Sequence, residues 1–311
     1  MEDHAALSMI HHMSTKREPR LEVLMSWWGM NGLGDQNGAG DDWSMEEKVR
    51  RIDEAGYDGI NGMLPEGKEA ERWHRLLDQY NLSYSVNAYP KTVEELDVFL
   101  CKAKSFGRID FVNVQVMRPF LVGEQAVQLL AGMAELSRSA GIPAFIETHR
   151  GTITQDLLRT VEYAHRLPGL ELTIDFSHNV VAGEMYTVSD EAEELLQALL
   201  PLTKSIHARI SNGEQVQIDV PMFGSADEEG AADREFEHPM LKHFQRWWLV
   251  GIRNWRQVAQ KGEMFPFVCE LGPPPYAITV SGQHDKQCEV SDRWTQALLF
   301  ARIARSLWER V

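Results

Sequence analysis

Apolar residues along this chain fall in short runs of about five, separated by longer amphipathic stretches, and the two alternate from Leu21 to the C-terminus. The runs cover residues 21–26, 57–61, 83–87, 111–115, 143–147, 171–175, 204–209 and 266–270. Runs this short and this continuously apolar read as strands buried on both faces. Helical periodicity fills the gaps over residues 44–55, 66–79, 92–106, 123–140, 154–166, 189–200, 239–260 and 291–309. Their ends are marked in the sequence. Ser44 with Glu47, and Thr92 with Glu95, have capping-box spacing; Gly56, Gly141 and the Pro168-Gly169 pair are stops.

Eight strand–helix units at this rhythm predict an all-parallel sheet, and no glycine-rich dinucleotide fingerprint follows the first strand. The expected fold is therefore α/β, a (β/α)8 TIM barrel over residues 21–311, preceded by a flexible leader over residues 1–20. One connection is long. Between strands seven and eight, residues 211–235 read as a loop rich in glycine and acids, placed to form a lid. A helix follows, with Leu241, Phe244, Trp248, Ile252 and Trp255 on one face.

Composition narrows the function classes. Lysine and arginine total 31 against 46 acids, a net charge of −15, which works against a nucleic-acid partner. Cys101, Cys269 and Cys288 have no paired spacing, as expected of a reducing compartment. No apolar run approaches 18 residues and the N-terminus lacks an apolar signal core, so no membrane association and a cytoplasmic location are expected.

The informative feature is where the strands stop. Residues 143–147 end in Glu147, 171–175 in Asp175 and 266–270 in Glu270, while His207 lies near the end of 204–209. In a βα barrel such positions share one open mouth. Three carboxylates so close raise each other's pKa unless a cation lies between them. Three carboxylates and an imidazole suit one divalent ion, Mn²⁺ first, with Mg²⁺, Co²⁺ or Zn²⁺ as alternatives, over a thiolate site.

These four positions, the Asp175-Phe176-Ser177-His178 segment and the proline-rich turn after Glu270 resemble the xylose isomerase-like TIM barrels. That superfamily of sugar isomerases and epimerases includes D-tagatose 3-epimerase, inosose dehydratase and endonuclease IV. The resemblance implies that Glu147, Asp175, His207 and Glu270 ligate the metal, and that His178 beside it contacts substrate or adds a ligand. It also implies an arginine holding substrate oxygens, for which Arg209 is the nearest counterpart.

For the chemistry so implied, proton abstraction beside a carbonyl, Glu147 and Glu270 are the candidates for base and acid. His149, two residues past Glu147, is placed to touch substrate. Asn87 and Gln115 either contact substrate and ligands or satisfy loop backbone. Trp27 or Trp28 either stacks on a sugar ring or caps the barrel core. The expected function is a metal-dependent isomerase or epimerase of a small carbohydrate. The alternative is a lyase or dehydratase on a keto-inositol or oxidised sugar, and a third reading is a sugar-binding barrel without catalysis. Phosphodiester cleavage lacks its extra histidines. Homo-oligomerisation is expected, with Trp247 and Trp248 either packing or forming a subunit contact.

Overall fold

The computed structural model describes residues 18–34, 42–220, 239–281 and 287–311. Eight parallel strands close in chain order, with the last pairing to the first. They are β1 (Arg20–Ser26), β2 (Gly59–Gly62), β3 (Ser83–Ala88), β4 (Val112–Val114), β5 (Ala144–Glu147), β6 (Leu172–Ile174), β7 (Thr203–Ala208) and β8 (Met264–Cys269). The fold is the expected (β/α)8 barrel. Nearly every strand residue is buried, because the barrel interior covers one face and the helices cover the other.

Helices α1 (Met45–Glu54), α2 (Gly67–Tyr80), α3 (Val93–Phe106), α4 (Gly123–Ala140), α5 (Leu157–Arg166), α6 (Phe176–Ala182), α7 (Asp190–Leu199), α8 (Pro239–Val258) and α9 (Arg293–Glu309) form the outer layer. The capping spacings work as chemistry: Ser44 Oγ accepts from Glu47 N and Thr92 Oγ1 from Glu95 N, each satisfying an orphan donor. The α5 helix begins later than the pattern suggested because Asp156, not a residue near 154, accepts from Arg159 N.

The α8 face is buried as expected, and Trp247 and Trp248 lie within it. Trp247 packs edge-on to Phe176 and donates to Glu193; Trp248 packs edge-on to Phe267 and Phe300. Both are buried within their own chain.

Two elements go beyond the eight-unit periodicity. After Asp175 the chain enters α6, with Asp175 as the N-cap accepting from Ser177 N. After β8, strands β9 (Thr279–Ser281) and β10 (Gln287–Glu289) form an antiparallel pair that the periodicity did not disclose. In the long connection, residues 211–220 have no regular structure. The rest of the expected lid loop, residues 1–17 of the expected leader and 35–41 of the first loop lie outside the described residues. Among the described residues no helix is long and apolar enough to cross a membrane.

Candidate metal centre

Strands β5 to β8 are neighbours, so their C-terminal ends deliver Glu147, Asp175, His207 and Glu270 to one arc of the mouth. His207 stands between two carboxylates. Its Nδ1 lies 3.0 Å from Glu270 Oε2 and 3.6 Å from Glu147 Oε1. Burial works against a charged imidazole, but Glu270 and Glu147 outweigh it and lift His207 to about 10. Burial likewise opposes ionisation of Glu147, and the His207 charge reverses it, holding the carboxyl below its usual range.

Glu147 is oriented by amides. Asn113 Nδ2 donates to Oε2 at 2.5 Å and Gln115 Nε2 to the same oxygen at 2.8 Å, while Oε1 has no hydrogen-bond partner. The Asn113 bond ends a run across the barrel interior: Asn61 donates to Ser85 Oγ, Asn87 to Asn61 Oδ1, and Asn113 to Asn87 Oδ1. The strand register puts Asn61 beside Ser85 and Asn87 beside Asn113, so the run follows the slant of the barrel.

Asp175 has different company. Its Oδ1 accepts from Ser177 N and Oγ; its Oδ2 lies 3.3 Å from Arg209 Nη1 and 3.6 Å from His178 Nε2. Burial first, with Glu270 and Glu147 adding to it against Arg209, pushes Asp175 up to about 7. Arg209 is the hub of this half. Its Nε donates to the Glu270 backbone carbonyl at 3.0 Å, Nη2 to Glu270 Oε2 at 2.7 Å, and Nη1 to His178 Nε2 at 2.9 Å. The guanidinium also lies over Tyr276, 4.8 Å from the ring centroid, and near Trp28 at 5.8 Å.

The donor set suits a divalent cation. Glu147, His207 and Glu270 bring three ligand atoms within 4.8 Å of one another. Glu147 Oε1 is a buried oxygen without a partner. With His207 neutral as a ligand, the carboxylates of Glu147, Asp175 and Glu270 and the Arg209 guanidinium leave a net charge that a divalent ion cancels. A second group, Glu147, His149 and His178, meets the same distance, and burial pushes both histidines toward the neutral form that ligates a metal.

Among solved structures, a xylose isomerase-like TIM barrel protein from Mycobacterium smegmatis in complex with magnesium superposes with a TM-score of 0.55, at 13% identity over 93% of this chain and 97% of that one. The probable 3-DHS dehydratase AsbF, involved in petrobactin synthesis in Bacillus anthracis, gives 0.51 at 15% identity over 82% and 94%. The (β/α)8 barrel fold is thus shared with these two proteins. No protein-family model matches the chain, and no curated protein does.

The candidate metal centre lies at the edge of a cleft of about 290 Å³. Glu270, Asn87, Gln115, His149, Arg209, Trp27 and Trp28 all line it, together with Tyr89 and Tyr276. Both tryptophans thus border the cleft while also packing. Trp27 meets Trp73 edge-on at 4.7 Å with Lys48 over its ring, and Trp28 meets Tyr276 edge-on at 4.9 Å. His149 packs against His178 with ring centroids 3.7 Å apart and planes tilted by 42°, and its Nδ1 bonds to the Arg150 carbonyl. Arg209 spends donors from all three nitrogens on protein groups, so it is a structural bridge as well as a wall of the cleft. Asn113, Asn61 and Tyr276 went unnoticed in the sequence. Only the Pro273-Pro274-Pro275 run beside Tyr276 hinted at a turn back over the mouth.

Proposed function

We propose that the chain is a divalent-metal-dependent enzyme that removes and returns a proton beside the carbonyl of a small carbohydrate, as an isomerase or epimerase. One observation carries this reading: the unpartnered Oε1 of Glu147 faces His207 Nδ1 at 3.6 Å, beside a cleft of monosaccharide size. A hydrogen beside a carbonyl is weakly acidic and leaves only with a positioned base and charge stabilisation at oxygen. Glu147, His207 and Glu270 would hold the ion, Mn²⁺ first and Mg²⁺, Co²⁺ or Zn²⁺ as alternatives, and its chemistry is to stabilise the negative charge that develops on oxygen.

The chain's own groups do the rest. Asn113 and Gln115 fix which oxygen of Glu147 is presented, and Arg209 fixes Glu270, so the two carboxylates are held apart as base and acid. Trp27, Trp28, Tyr89 and Tyr276 offer flat faces to the C–H surface of a sugar ring. Asn87, Gln115 and His149 can pair with its hydroxyls.

Elimination from a keto-inositol or oxidised sugar begins with the same proton abstraction, and the fold is shared with a probable dehydratase. Product structure separates the two. The test is a panel of ketoses, keto-inositols and 3-oxo-glycosides in D₂O with Mn²⁺-loaded protein. Deuterium should appear on the carbon beside the carbonyl, and Glu147→Gln should abolish it. A converted substrate whose own carbon-bound label moves intact between carbons would replace proton transfer by a hydride shift.

A further inference from the structure

A second opening, a groove of about 570 Å³, lies where α5, α6 and α7 meet, and it shares no lining residue with the cleft over the metal centre. Leu157, Met185, Ala192 and Leu195 form much of its wall, yet its most buried lining residue is polar. Asn179, on α6, is 2% exposed, and neither its Nδ2 nor its Oδ1 has a partner among the described residues. A buried amide without a partner has given up its water for nothing, so its presence points to a partner from outside the chain. His178, one residue earlier, meets Arg209 and His149 at the metal centre, and one step of helical rotation carries Asn179 to the groove side.

The charges argue against an anion there. Asp156 and Glu191 line the groove beside one cation, Arg150, whose guanidinium lies over Tyr276 at 5.4 Å from the ring centroid. The two helix N-termini that open on the groove already carry caps: Asp156 accepts from Arg159 N in α5, and Ser189 accepts from Ala192 N in α7. What remains is the Asn179 amide, a donor and an acceptor side by side, set among aliphatic walls. A neutral amide is the group that complements both atoms at once.

We propose that this groove is a second binding site, for a neutral amide-bearing molecule with an aliphatic side group, such as a capped aliphatic amino acid. Asn179 Nδ2 donates to the ligand carbonyl and Oδ1 accepts from the ligand N–H, while Leu157, Met185 and Leu195 cover the aliphatic part. The site stands whether or not the barrel mouth holds a metal.

The test is titration of N-acetyl-L-leucine amide, at millimolar concentration, into full-length protein labelled with ¹⁵N at asparagine. The Asn179 side-chain signal is the one missing from Asn179→Leu, and in wild type it should move downfield and saturate. By calorimetry, Asn179→Leu should weaken the probe by about tenfold or more, the worth of two lost hydrogen bonds. Ala192→Phe, which fills the groove from the α7 side and leaves Asn179 in place, should weaken it at least as much. Wild-type protein that does not bind the probe, or equal binding in all three proteins, would overturn the site. Binding lost in Ala192→Phe but unchanged in Asn179→Leu would overturn the amide pairing on which the ligand class rests. Should Asn179→Leu fail to fold, Asn179→Ala serves the same comparison.

Discussion

Asn113 Nδ2 donates to Glu147 Oε2 across 2.5 Å, the last bond of an amide run that starts at Ser85. A carboxylate tied at one oxygen presents the other in a single direction, so this bond sets the aim of Oε1. Replacing Asn113 with alanine should lower kcat by about 10- to 100-fold with KM little changed, because Gln115 alone would hold the carboxylate. Asn113→Asp puts a like charge beside Glu147 and should move the acid limb of the pH–rate profile upward. Ser85→Ala, at the far end, should cost far less. An unchanged kcat in Asn113→Ala would reduce the run to core filling.

The strand-end carboxylates were legible because a charge that stops an apolar run has no packing role to explain it. Asn113 was not, since Val112-Asn113-Val114 reads as ordinary alternation and only the barrel's curvature shows that the amide points inward. The α6 helix was hidden by its own composition: Asn179, Val180 and Val181 are poor helix formers, and Asp175 looked like a ligand before it looked like a cap. Arg209 was visible as a residue but not as a hub, because its three attachments come from the N-cap of α6, α6 itself and the segment after β8. The eight-unit rhythm, by contrast, survives any local misreading, and it fixed the fold.

The ion and a proton should compete for His207. In the metal-free chain the imidazole pKa is raised from 6.5 to about 10, chiefly by Glu270 and Glu147 against the cost of burial. A raised folded-state value means that the stabilisation is complete below about pH 6.5 and is lost as pH rises through about 10. Chelator-treated protein should therefore melt at falling temperatures over that window. Loading with Mn²⁺ at pH 7.5 should release about one proton per ion, seen by calorimetry in two buffers of different ionisation enthalpy. Binding with no buffer dependence would mean that the ion does not displace the His207 proton.

Gly272 makes room for a cleft wall. A Cβ built there would lie 1.9 Å from Cη2 of Trp28. The backbone cannot yield, because Gly272 N donates to Gln217 Oε1 and its carbonyl accepts from Gln217 Nε2. The indole must move instead. Gly272→Ala should drive Trp28 off Tyr276, shift the tryptophan emission and raise KM by about tenfold through about 1.4 kcal/mol of lost binding. A KM unchanged alongside a shifted emission would show that Trp28 borders the cleft without touching substrate.

The opposite end of the barrel holds a titrating group of its own. Glu22, on β1 opposite Pro266 of β8, is 2% exposed and lines a cavity of about 470 Å³ with Asp110 at the N-terminal face. Burial first, then Asp110, raises its carboxyl from 4.5 to about 7. A folded-state value above the unfolded one makes the folded state bind the proton more tightly. The contribution is present below about pH 4.5 and is lost as pH rises through about 7. The loss is on the order of 3 kcal/mol for a shift of this size. Glu22→Gln keeps the shape and removes the ionisation, so at pH 8 it should melt several degrees above wild type, and at pH 4 the two should coincide. Turnover should not change, since Glu147 lies at the far mouth. Equal gains in melting temperature at both pH values would assign the effect to packing and remove the buried charge from the account.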